Sequence, residues 1–136
     1  MGSERMSQAR AERVTPFDQI GGREALKRLA IRFYEIMSSR PDAAGIRAMH
    51  DADLTPVADS LAEFLMGWMG GPRDWFQRAD RPCIMGLHRA LPIGENERDQ
   101  WLSCMKQAMV DTIESEELRA ELEPAFFRIA DAMRTR

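Results

Sequence analysis

Two histidines, a single tyrosine and three tryptophans are the scarce side chains of this 136-residue sequence, and they carry most of its chemical options. His88 lies in the apolar run Cys83-Ile84-Met85-Gly86-Leu87-His88-Arg89-Ala90-Leu91-Pro92-Ile93-Gly94. An imidazole alone in such a run has two readings. It is either an axial ligand to a haem iron or an ordinary surface or satisfied core histidine. The same pair of readings applies to His50. Trp101 is either a core anchor or a buried N–H donor. Tyr34 falls on the apolar stripe of a predicted helix, so its hydroxyl needs something polar inside the fold. Other chemistries lack their residues. There is no His-Glu-x-x-His pair for zinc, no Gly-x-Ser-x-Gly nucleophile turn and no phosphate-binding glycine loop. Asp51 and Asp53 stand close together, but no calcium loop follows them. The methionines read as gap-fillers, and Met85 alone is near His88.

The elements that must position these residues are helical. Thr15-Pro16-Phe17-Asp18 reads as a helix start, with Thr15 as cap and Pro16 in the first turn. Gly21-Gly22 breaks the chain. A helix is predicted from about Arg23 to Ser39, with Leu26, Leu29, Ala30, Phe33, Tyr34 and Met37 on one stripe. Ser38 to Asp53 is a connection with one helical turn, and it carries His50. Thr55-Pro56 restarts a helix by cap and first-turn proline, with Val57, Leu61, Phe64, Leu65 and Trp68 on its apolar face. Gly70-Gly71-Pro72 ends it. The stretch from Arg73 to Arg81 is loop-like, and a short helix carries His88. Pro92 and Gly94 introduce a long helix from about Glu95 to Ile113. Ser115-Glu116-Glu117 caps the last helix, which bears Leu118, Leu122, Phe126, Ile129 and Met133. With no alternating strand pattern, the expectation is an all-α domain of about five to seven helices.

Composition narrows the function classes. The apolar share of 44% and charged share of 30% fit a soluble globular domain. The formal net charge of -3 gives no field that would gather nucleic acid. Cys83 and Cys104 show neither metal-ligand spacing nor a disulfide framework, so a reduced, cytoplasmic setting is expected. No apolar run is long enough to span a membrane. Met1 to Val14 is polar and charged and reads as a flexible extension, with the ordered domain over residues 15–136.

Taken in order, several segments resemble the truncated haemoglobins. Thr15-Pro16-Phe17-Asp18-Gln19-Ile20-Gly21-Gly22 and Arg32-Phe33-Tyr34 are similar to the opening of that family. Phe64-Leu65-Met66-Gly67-Trp68-Met69-Gly70-Gly71-Pro72 resembles its glycine break. Leu87-His88, then Pro92-Ile93-Gly94-Glu95, then Glu97-Arg98-Asp99-Gln100-Trp101-Leu102-Ser103-Cys104-Met105 is similar to group II, which the tryptophan favours. The resemblance runs from about Thr15 to Met133.

It implies a globin-like, two-over-two truncated helical sandwich around haem b (iron protoporphyrin IX). Carried over, His88 is the proximal iron ligand. Tyr34 and Trp101 are distal donors to a bound diatomic ligand, and His50 is a third distal partner, with Met49 as the alternative because the loop differs in length. Phe33, Leu54, Val57, Leu61, Phe64, Trp68, Trp75, Leu87 and Ile93 line the cofactor. Where many group II members carry propionate-pairing arginines, this sequence has Met85 and Leu87. Ala90 and Leu91 stand in place of a proline and phenylalanine. Arg73, Arg78, Arg81 or Arg89 would have to substitute, so weaker haem retention is expected. Three functions follow as alternatives. The first is binding of dioxygen or another small diatomic ligand. The second is a haem-dependent redox enzyme, peroxidase-type or detoxifying nitric oxide, which would need an electron-donor protein. The third is a haemless interaction or sensor module. The implied state is a monomer or homodimer.

Overall fold

The computed structural model describes residues 15–73 and 91–136, and every regular element among them is helical. The expected N-terminal arm, most of the loop after Arg73 and the short helix around His88 lie outside the described residues.

Helix α1 (Pro16–Ile20) begins where Thr15 predicts. Thr15 Oγ1 accepts the Asp18 N–H at 3.2 Å, and the Asp18 carboxylate accepts the Thr15 N–H at 3.5 Å. This reciprocal cap satisfies donors that a helix start leaves open. Gly21, at φ 110°, turns the chain into α2 (Gly22–Ser39). A 3-10 turn (Pro41–Ala43) and the short α3 (Ala44–Arg47) follow. Next come α4 (Thr55–Trp68), α5 (Glu95–Thr112) and α6 (Glu116–Ala132). Ser115 Oγ accepts the Leu118 N–H at 3.1 Å, so the last cap falls where the sequence puts it.

The start of α4 differs from expectation. Thr55 is already inside the helix, and it is Asp53 that accepts the Thr55 N–H, at 3.0 Å. The capping position itself falls to Leu54, which has no side-chain acceptor, so Asp53 answers the first helical N–H from one residue further out. At the other end, Gly71 is required by contact. A Cβ there would stand 2.5 Å from the Phe17 ring, and the Phe17 N–H is bonded to the Met69 carbonyl at 3.0 Å. The first helix is therefore clamped onto the end of α4.

α2 is the centre of the fold. Both α4 and α5 pack along it, α6 packs on α5, and α4 and α5 barely touch one another. The sealed core comes from Leu26, Leu29, Phe33 and Met37 of α2, Leu65 and Met66 of α4, Met105 and Met109 of α5, and Phe126 of α6. Each such side chain contributes about 1.5–3 kcal/mol by leaving water. Polar links between helices fix their register. Arg32 pairs with Asp111 at 2.8 Å across α2 and α5, and Arg98 with Asp131 at 2.9 Å across α5 and α6. No helix of the described residues is long and apolar enough to cross a membrane.

Candidate functional site

Tyr34 sits on the buried stripe of α2, only 6% exposed. Its ring meets Phe33 at 4.9 Å between centroids and His50 at 5.5 Å, both edge-on. Among the described residues its hydroxyl has no hydrogen-bond partner, and no polar side-chain atom is sealed in without one. The oxygen therefore meets open space rather than a closed core. Burial pushes the phenol above its ordinary range, so Tyr34 stays a neutral hydroxyl and a donor.

Trp101, on α5, packs on the same Phe33 ring. Its ring lies 5.2 Å from Phe33 and 6.0 Å from Phe126. The indole is half-buried, and its N–H bonds to none of the described residues. Phe33 is wholly buried and lies behind both donors as the support that spaces them.

His50 arrives on the connection after α3. Its Nδ1 stands 2.8 Å from the Ile46 carbonyl. A carbonyl only accepts, so Nδ1 carries the proton. In the neutral ring Nε2 then holds the lone pair and accepts. His50 is thus a donor to a third party only when protonated. Ile46 is itself tied to α5, its N–H donating to Gln100 Oε1 at 3.3 Å. The residue next to Trp101 in sequence holds the strand of backbone that orients His50.

α4 is apolar on two faces. Ala58, Ala62, Leu65 and Met66 are buried toward α2, while Val57, Leu61, Phe64 and Trp68 form a second, half-buried row, preceded by Leu54. Those four recur at helical spacing, so they share one side. Trp68 lies 5.7 Å from Phe126, which also meets Trp101. Ile93 is buried at the start of α5, its N–H held by Thr135 Oγ1 at 2.8 Å. A helix with two apolar faces needs a second apolar partner. A flat, apolar group beside this row, with two unpartnered donors at hand, fits these residues. That is what haem requires of a site: apolar walls and few, well-placed polar groups.

Trp75, Leu87 and His88 lie outside the described residues, as do Arg78, Arg81 and Arg89. Among the described residues no three His, Cys, Asp or Glu side chains gather as a metal site. Two contributors escaped the sequence reading, Gln100 and Arg47. A cation at the end of a short helix is the one signal that could have pointed to Arg47.

A family profile described as bacterial-like globin matches residues 15–135. The chain is 35% identical over 94 residues to the group 2 truncated hemoglobin YjbI of Bacillus subtilis (strain 168), covering 69% of this chain and 68% of that protein. Among solved structures it is similar to the group II 2-on-2 hemoglobin of the plant pathogen Agrobacterium tumefaciens, with 38% identity, a TM-score of 0.83, and 90% and 95% of the two chains covered. It is also similar to the cold-adapted truncated hemoglobin of Pseudoalteromonas haloplanktis TAC125, with 30% identity, a TM-score of 0.84, and 90% and 99% covered.

Proposed function

The chain belongs to the bacterial-like globin family, with the truncated two-on-two fold, and on that premise we propose that it holds haem b through His88 and binds dioxygen or another small diatomic ligand under Tyr34 and Trp101. Haem binding itself goes with the family. Bound haem would supply an iron with one position open to the ligand.

The observation that carries the reading is the Tyr34 hydroxyl, on a buried ring and without a partner among the described residues. The oxygen meets open space rather than a sealed core, so the hydroxyl is free to donate to a group placed there. A diatomic ligand that draws partial negative charge gives it an acceptor. The Trp101 N–H adds a second donor from the opposite helix, spaced by Phe33. The half-buried row of Val57, Leu61, Phe64 and Trp68, preceded by Leu54, keeps water away together with Ile93 and so strengthens both hydrogen bonds. His50 closes the side next to Tyr34. In its neutral form it accepts rather than donates, and it packs edge-on to hold the Tyr34 ring. Trp75 and Leu87 complete the lining, and His88 contributes a neutral imidazole whose second nitrogen sets its orientation.

One feature favours a second reading. Two donors converging on one ligand hold it strongly, which suits conversion of peroxide or nitric oxide better than rapid carriage. Turnover would then draw on an electron-donor protein. Multiple-turnover kinetics with either substrate separates the two.

Haem titration tests the core of the proposal. The expected result is a one-to-one Soret band that His88→Ala removes. Absence of stable uptake sinks the proposal. An unchanged five-coordinate imidazole spectrum in His88→Ala removes His88 from its role.

A further inference from the structure

Arg47 spends its guanidinium on one short stretch of chain. Nη1 donates to the carbonyls of His50 at 3.5 Å and Asp51 at 3.0 Å. Nη2 donates to the Ala52 carbonyl at 3.1 Å, and Nε to Ser38 Oγ at 3.2 Å. Three successive carbonyls are thus answered by one side chain, which is anchored in turn to the end of α2. None of its donors goes to a carboxylate of the described residues.

Beyond His50, whose own N–H is bonded to the Arg47 carbonyl at 3.1 Å, the stretch has few other bonds. Asp51, Ala52 and Asp53 are exposed, and the carbonyls of residues 51 and 52 take no backbone hydrogen bond from any described residue. A cleft of about 570 Å³, lined by Met37, Ser38, Arg47, Ala48, His50 and Ala52 among others, opens beside it. On the inner side is the His50 ring against Tyr34. The base of the arrangement is firm, since Ile46 is buried and tied to Gln100.

We infer that Arg47 is a positioning residue for ligand binding: its fork latches residues 50–52 and so keeps the His50 ring, in its Nδ1–H form, beside Tyr34. This rests on the proposed role of His50 as a wall of the ligand pocket. The planar fork suits the task where a lysine would not, because it reaches several acceptors at fixed angles. Without it, the three carbonyls turn to water. The ring then loses its fixed place, and Tyr34 loses the neighbour that holds its hydroxyl on the ligand.

A double-mutant cycle in the haem-loaded protein tests the inference, with dioxygen release followed by stopped flow. His50→Ala is expected to speed release. Arg47→Gln is expected to speed it by about threefold or more, and to add nothing in the His50→Ala background, as residues acting through one another do. Arg47→Lys is expected to behave as Arg47→Gln. If His50→Ala leaves release unchanged, the reading of His50 fails, and the latch with it. If His50→Ala speeds release but Arg47→Gln does not, the latch alone fails. Equal effects of Arg47→Gln with and without His50 would reduce Arg47 to a structural role and overturn the inference. Ser38→Ala, which removes one anchor, is the milder variant should Arg47→Gln not fold. A second readout is independent of ligand release. With only two histidines in the chain, nitrogen NMR assigns the His50 ring directly. Wild type should show the proton on Nδ1, and Arg47→Gln a mixture of tautomers. An unchanged single tautomer in that variant also overturns the latch.

Discussion

Replacing Tyr34 by phenylalanine should move stability and ligand release in opposite senses, and the structure sets both magnitudes. The ring is 6% exposed and packs edge-on against Phe33 and His50, contacts that phenylalanine keeps. Only the hydroxyl is lost, and it has no partner among the described residues. A sealed, unpartnered hydroxyl costs about 1–3 kcal/mol. This one meets open space, so the cost is at the low end. The haem-free protein should therefore be unchanged or up to about 1 kcal/mol more stable, a rise of roughly 3–6 °C in Tm at most. With haem and dioxygen bound, the same substitution removes a hydrogen bond to a partly charged acceptor, worth about 1.5–3 kcal/mol. Release should then quicken by roughly 10- to 150-fold, at about 1.4 kcal/mol per factor of ten. Stopped-flow displacement of dioxygen by carbon monoxide reads the second quantity, and thermal unfolding of the haem-free protein the first. Release within twofold of wild type would show that Tyr34 is not the donor. A haem-free protein destabilised by 1 kcal/mol or so would show that the hydroxyl serves the fold, through a partner elsewhere in the chain.

Because the chain has one tyrosine, its phenolate absorbance reports Tyr34 alone. Burial raises this phenol in the folded state, whereas the unfolded chain ionises near pH 10. The unfolded state then binds fewer protons, so stability is full below about pH 10 and falls as pH rises above it. Absorbance should show no phenolate until the protein unfolds, and Tyr34→Phe should flatten the alkaline fall; early titration would contradict the burial. Phe126, sealed between Trp68 and Trp101, should cost about 3–5 kcal/mol on Phe126→Ala, read from urea unfolding, and should also disturb haem uptake. Transfer of haem to an acceptor protein should be faster than in relatives with propionate-pairing arginines at the positions of Met85 and Leu87, and Leu87→Arg should slow it.

The parts of the fold that obey a period were legible, and those held by backbone carbonyls were not. The stripe of Leu26, Leu29, Phe33, Tyr34 and Met37 repeats at helical spacing, so a lone hydroxyl among apolar neighbours announced itself before any coordinates. The caps at Thr15 and Ser115 depend on residue type and fell as expected. At α4 the helix takes in Thr55 and leaves its cap to Leu54, while Asp53 offers a charged acceptor to the Thr55 N–H. The double apolar character of α4 was present in its residues, but a single-face reading of a helix assigns all of them to one core. Only packing on α2 separates Ala58, Ala62 and Leu65 from the half-buried row.

How His50 is held in place was hidden for a deeper reason. Its ring is oriented by the Ile46 carbonyl, and its loop by the bonds of Arg47 to the carbonyls of residues 50–52. Every residue type offers that same acceptor, so no side-chain pattern records the arrangement. What does record it is chain length, since the fork reaches carbonyls at fixed places. Ala52→Ser should accordingly leave the His50 tautomer and dioxygen release as they are, because the carbonyl stays where it was. Deleting Ala52 shortens the path from α3 to α4, and should scramble the tautomer and speed release as Arg47→Gln does. If the deletion leaves the His50 ring in its single Nδ1–H form, the ring is held without those carbonyls, and the carbonyl latch is not what places it.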